Sequence, residues 1–179
     1  MRKLLLICAA IITFSATKAN TINVDSIPAD PKDVVSPEAI VAAVYDVISG
    51  PAGQKRNWDR MRTLLVPDAR MIATGKRQTG EITRRVMSVE DYINNSGPFL
   101  EKEGFFEKEI GKTTEKFGNI VHVFSTYESK KTLADEKPFM RGINSIQLWF
   151  DGRRWWVVTI LWQSESNDYP IPEKYIQKG

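Results

Sequence analysis

Hydrophobic spacing divides the chain into two halves. In the first, apolar residues recur three and four positions apart, and Ile40, Val41, Val44, Val47 and Ile48 share one helical face. Ser36-Pro37 opens that helix. The serine hydroxyl accepts from free amides of the first turn, and proline at the first helical position gives up no needed donor. Gly50-Pro51 ends it. A shorter helix is predicted over residues 57–65, with Trp58, Met61 and Leu65 on one face and Pro67 as its stop. Residues 70–74 read as a short strand, joined by a Gly75 to Gly80 loop to a partner over 83–87. Ser88 caps a third helix with Asp91 placed for a capping box. Val89, Tyr92 and Ile93 form its stripe, Asn95-Ser96-Gly97-Pro98 interrupts it, and Gly104 closes it.

From Phe105 the period becomes two. Residues 106–115, 120–128, 139–150 and 153–163 read as four long antiparallel strands. Phe117-Gly118-Asn119 and Asp151-Gly152 are their tight turns, and 130–138 is a polar connection. Strands of about ten residues twist and cannot stay flat. The expected fold is therefore α+β, with helices packed on the concave face of a strongly curved antiparallel sheet. Such a cone-shaped α+β barrel has a mouth, which is the physical reason to expect a pocket.

The ends add a compartment. Met1-Arg2-Lys3 is basic, residues 4–16 are apolar, and Thr17-Lys18-Ala19 places small residues at the minus-three and minus-one positions of a cut before Asn20. That is the layout of a secretory signal peptide, and the run falls short of the roughly 20 residues a bilayer span takes. The chain is expected to be exported, to the periplasm or beyond the cell, with no membrane attachment once residues 1–19 are removed. Residues 20–35, with Pro28 and Pro31, form an extended lead-in. Residues 36–165 form one domain, and 166–179, with Pro170 and Pro172, an irregular extension.

Charge follows from the same cut. Arg2, Lys3 and Lys18 leave with the signal, so 25 basic residues fall to 22 against 22 acidic ones. A neutral chain gives no electrostatic case for nucleic acid. The acidic run Glu90, Asp91, Glu101, Glu103, Glu107, Glu109 and Glu115 reads as a solvated face that pairs with the basic stretch before it. Cys8 is the single cysteine and lies in the signal, so no disulfide or cysteine nucleophile is expected in the mature chain. His122 is the single histidine, which excludes a multi-histidine zinc site within one chain. No metal or cofactor is expected.

Six residues stand out as ligand-binding candidates. On the strand 139–150 the even face is the more apolar, and Asn144 is its one side-chain amide, able to anchor a ligand. Arg141 lies on the odd face, which reads as an outer surface, and has the geometry to take a carboxylate bidentately. His122 is a general-base candidate, but Glu128 on its strand face is about 20 Å away in an extended chain and cannot assist it. Tyr127 and Ser125 alternate to the other face with Val121 and Val123, where their hydroxyls would meet a pocket. Trp162 joins them as an aromatic lining residue of the last strand. Trp149, Trp155 and Trp156 suggest an exposed aromatic patch and a homodimer through the sheet.

The element order, with Gly118-Asn119-Ile120-Val121-His122-Val123, Arg141-Gly142-Ile143-Asn144-Ser145-Ile146-Gln147 and Asp151-Gly152-Arg153-Arg154-Trp155-Trp156, resembles the nuclear transport factor 2-like superfamily over residues 37–163. This is the cystatin-like cone, and the likeness is to its SnoaL-like group. The resemblance implies either a small-molecule-binding or accessory domain with a largely apolar ligand, or a cofactor-independent isomerase or dehydratase. Steroid isomerases of the group use pocket carboxylates. Their carboxylate on the strand before the last hairpin has no counterpart among Asn144, Ile146 and Leu148. In the enzymatic reading His122, Tyr127, Arg141 and Asn144 are the polar groups; convergence of three or more on one cavity favours it, and scatter over two faces favours binding or dimerisation.

Overall fold

The computed structural model describes residues 28–176; the expected signal and the first half of the lead-in, residues 20–27, lie outside the described residues. Four helices and six strands follow one another: α1 Pro31–Val34, α2 Pro37–Ile48, α3 Trp58–Leu64, β1 Leu65–Lys76, β2 Ile82–Met87, α4 Val89–Glu103, β3 Phe106–Phe117, β4 Ile120–Lys130, β5 Met140–Phe150 and β6 Trp155–Ser164. A 3-10 turn, Glu173–Tyr175, lies in the tail. The sheet order is β2-β1-β6-β5-β4-β3, with β1 parallel to β6 and every other pair antiparallel. The sheet curves without closing. α2 lies against β3 and β6, and α4 lies against β1 and β2. No helix among the described residues is long and apolar enough to cross a membrane.

Local signals set the helix starts. Ser36 accepts from the Ala39 amide, and Ser88 and Asp91 form a complete capping box. Three expectations are corrected. The lead-in contains a helical turn, capped by Asp30 and started by Pro31. β1 runs straight out of α3 and is far longer than residues 70–74; Pro67 falls where the β1–β6 register shifts, so the missing amide forfeits no ladder bond there. α4 passes unbroken through Asn95-Ser96-Gly97-Pro98. Burial of Val89, Tyr92, Ile93 and Leu100 outweighs the weak local propensity. Gly97 also has a packing reason, since a Cβ there would stand 3.1 Å from the Trp58 ring.

Arg56 ties the two long helices together. Its guanidinium is buried and donates to the carbonyls of Ile48 (2.9 Å), Gly50 (2.6 Å) and Leu100 (2.9 Å). Ile48 and Leu100 belong to the last turns of α2 and α4, whose carbonyls have no helical partner. One cation thus satisfies two helix ends at the rim of the cone.

The inner sheet face carries Val121, Val123, Ser125 and Tyr127 of β4 and Asn144, Ile146 and Leu148 of β5, all buried. The outer face is partly covered by the tail, where the Thr126 hydroxyl donates to the Tyr175 carbonyl at 2.7 Å and Phe124 meets the Tyr175 ring. The expected aromatic patch is corrected as well. Val158 is an extra residue in β6, between the Gln147–Thr159 and Leu148–Val157 pairs. Trp155 and Trp156 are both buried within the chain, and the Trp156 indole donates to Asp151 at 2.7 Å beneath the Arg154 guanidinium. Of the three tryptophans only Trp149 keeps substantial exposure, at 37%.

Candidate functional site

A cavity of about 320 Å³ lies between α2, α4 and the inner sheet face. Asn144, Tyr127 and Trp162 line it, together with Tyr92, Phe105 and Glu107. A wider groove of about 640 Å³ opens on the other side of Glu107, between α2 and strands β3 and β4. Glu107 stands in the wall between the two.

A bulge in β3 builds this wall. Glu107 pairs with Ser129 and Glu109 with Tyr127, but Gly111 then pairs with Thr126, leaving Ile110 as the extra residue. Lys112 therefore faces inward with Ser125, which plain alternation from Glu107 does not allow. The result is two linked groups of polar side chains. In the first, the Ser129 hydroxyl donates to Glu107 Oε2 at 2.8 Å, and the Asn144 amide reaches Glu107 Oε1 at 3.5 Å, the outer limit of a hydrogen bond. In the second, Asn144 donates to the Tyr45 hydroxyl at 3.1 Å, Tyr45 meets Ser125 at 2.7 Å, and Ser125 donates to Glu109 at 2.6 Å. Ser125 has one proton and a carboxylate only accepts, so Tyr45 is the donor to Ser125. Lys112 completes the line with a 3.1 Å ion pair to Glu109.

The environment sets the protonation. Burial pushes the Glu107 carboxyl up to about 7, against a smaller downward pull from its bonds to Ser129 and Asn144. Burial likewise pushes the Tyr127 phenol up to about 12, with the Glu107 charge adding to the effect. Tyr45 and Tyr92 are raised further, again chiefly by burial and in part by Glu107. Three phenols thus stay protonated around a carboxyl poised near neutrality. Gly142 makes room for one of them: a Cβ there would collide with the Tyr127 hydroxyl and lie 2.5 Å from the Gln163 carbonyl.

The sequence-derived candidates divide between faces. Asn144, Tyr127 and Trp162 meet at the cavity. Ser125 is on the same inner face but is bonded to Tyr45 and Glu109 beside it. Arg141 and His122 alternate to the outer face, away from the cavity. Arg141 makes a bidentate pair with Glu165 at 2.8 and 3.0 Å, and His122 bonds Ser145 at 2.9 Å. The four polar groups of the enzymatic expectation therefore do not converge: two are inside and two outside. Sequence reasoning missed Glu107, Ser129, Tyr45 and Tyr92. Glu107 was hidden in an acidic run, and its one distinguishing sign is a carboxylate two residues after Phe105.

No protein-family model matches the chain, and no curated protein sequence matches it. Solved structures do. A protein of unknown function with a cystatin-like fold from Nostoc punctiforme aligns with a TM-score of 0.55 at 8% identity, covering 74% of this chain and 91% of its own. LinA aligns with a TM-score of 0.51 at 12% identity, covering 74% and 88%. The chain has the cystatin-like cone fold. An NTF-2-like protein of unknown function from Silicibacter pomeroyi aligns more loosely, with a TM-score of 0.48 at 12% identity over 73% and 94%. At these identities the likeness is one of fold. It bears out the resemblance and the expected architecture, and what the cone does rests on its own side chains.

Proposed function

We propose that this cone binds one small, largely apolar molecule in the cavity, with Glu107 and Asn144 as its polar anchors. The observation that carries this reading is the Glu107 carboxyl, held by two neutral donors against a cavity of about 320 Å³ whose other walls are mostly aliphatic and aromatic. Such a site offers apolar burial for affinity and few polar groups for orientation. Native mass spectrometry of the purified protein is expected to show a retained small molecule that Glu107→Gln loses. A wild-type protein with no bound mass, and no thermal shift across a panel of apolar aromatic and alicyclic compounds, would count against it.

A second reading, a cofactor-independent proton-transfer enzyme such as an isomerase or dehydratase, is favoured by the Glu107 pKa of about 7. A general acid or base works best when its pKa lies near the operating pH. In that case Glu107→Gln lowers turnover by roughly 10²–10⁴-fold and removes a pH inflection near neutrality. An unchanged profile would dismiss the role.

Two further expectations accompany either reading. Export with cleavage near Ala19 predicts an N-terminus at or near Asn20, and recovery of the intact chain in membranes would sink it. Self-association through the outer sheet face, where Ile120, Val158 and Leu161 are exposed, predicts a dimer by light scattering; a monomer at high concentration would contradict it.

A further inference from the structure

We infer that the molecule held in this cavity carries a positive charge, as a protonated amine or related organic cation, which pairs with Glu107 inside a cluster of aromatic side chains. This rests on the pocket reading above and adds the ligand's chemical class.

Charge is the first argument. Among the described residues no lysine, arginine or histidine lines the cavity, and Glu107 is its single carboxylate. Among the described residues no basic side chain is ion-paired with Glu107. The three lysines of the neighbouring groove are engaged elsewhere: Lys108 with Glu128 at 3.1 Å, Lys112 with Glu109 at 3.1 Å, and Lys130 with the Asp135 carbonyl at 2.7 Å. The groups around Glu107 on other elements do not supply a cation either. They are Tyr45, Glu38 and Asp46 on α2, Tyr92 on α4, and Tyr127 and Glu128 on β4. An ionised Glu107 therefore has two neutral donors and no counter-ion, and a ligand cation fills that role.

The aromatic walls are the second argument. Tyr92 and Trp162 meet edge to face, with ring centroids 6.2 Å apart at 86°. Phe105 and Tyr127 line the same space. Aromatic faces carry partial negative charge and attract ammonium groups, most strongly where water is excluded. An anionic ligand would meet these faces and a carboxylate together. A neutral hydrocarbon would leave the carboxylate to desolvation and so favour its protonated form. Burial raises the Tyr92 and Tyr127 phenols, with the Glu107 charge adding to the effect, so both stay neutral beside the carboxyl. Its volume of about 320 Å³ equals roughly ten waters of liquid, which sets the scale of the molecule.

A matched pair of probes tests the charge alone. N,N-dimethylbenzylamine and isobutylbenzene share a shape and differ by a carbon in place of the basic nitrogen. Above the Glu107 pKa of about 7, titration followed by calorimetry or by the Trp162 environment is expected to show the amine binding roughly tenfold or more tighter. Taking the wild type below that pKa weakens the amine, whereas the hydrocarbon keeps or gains affinity, a readout that needs no variant. Glu107→Gln removes the preference while isobutylbenzene still binds. Equal affinity for the two probes overturns the charge assignment and leaves the pocket standing. Binding of neither overturns both.

Discussion

The two faces of the β4–β5 pair carry similar side chains and use them differently. The inner face presents Ser125, Tyr127 and Asn144, and the outer face His122, Thr126, Arg141 and Ser145. Each face also meets a glutamate. Outside, Glu165 accepts two bonds from Arg141, and that guanidinium holds its carboxyl below the usual range. Inside, Glu107 has only Ser129 and Asn144, and burial pushes its carboxyl up to about 7. The residue type is the same and the shifts are opposite. A charged partner at the solvent edge stabilises the anion, whereas neutral donors under a helix layer fail to replace lost water. The difference places the desolvated carboxyl inside and makes the outer ion pair a surface clasp for the tail.

The pH dependence of stability is the largest test of this contrast. Glu107 has its pKa raised on folding from an ordinary glutamate value to about 7. Between these two values the folded state holds a proton that the unfolded state has lost, so stability falls as pH rises and levels off above about 7. The stability lost across this range is roughly 3 kcal/mol. Glu107→Gln is expected to flatten this slope in denaturant titrations run across that range; a slope identical to wild type would mean that the carboxyl is not desolvated.

A smaller effect is expected one step along the same network. Asn144→Leu keeps the volume and removes the donor shared by Tyr45 and Glu107. Each keeps another partner, Ser125 and Ser129 respectively, so the loss is about 1–2 kcal/mol. The Glu107 pKa should also rise further, because one of the bonds that lowers it is gone. A thermal midpoint equal to wild type, with an unmoved Glu107 titration, would separate Asn144 from the network.

The outer pair gives the smallest effect, with the opposite sign. Arg141→Ala is expected to cost less than about 1 kcal/mol, since both partners are partly solvated. The stability that the pair adds is present above the ordinary glutamate pKa and is lost as pH falls through the lowered one. Comparing the acid limbs of wild type and variant measures it. A loss as large as that from the inner substitutions would erase the distinction between the faces.

Much of this molecule was legible in the sequence. The periods of 3.6 and two, the caps at Ser36 and Ser88, and the turn at Asp151-Gly152 gave the order of elements and the inner placement of Tyr127 and Asn144. These signals are local: a cap or an alternating strand depends on residues a few positions apart. The errors came where distant packing overrode such signals. α4 continues through Pro98 because Tyr92, Ile93 and Leu100 are buried on either side of it, and Trp155 and Trp156 are enclosed rather than exposed.

The candidate site was decided by tertiary structure alone. Tyr45 lies 80 residues from Ser125 and 99 from Asn144, and nothing near any of them announces the contact. The bulge at Ile110, which turns Lys112 inward, is equally silent in the alternation of β3. The sequence determined that strands would present carboxylates, hydroxyls and an amide on opposite faces. Which carboxylate lost its water was set by the helices that folded over it, because desolvation is a property of the surroundings and not of the residue.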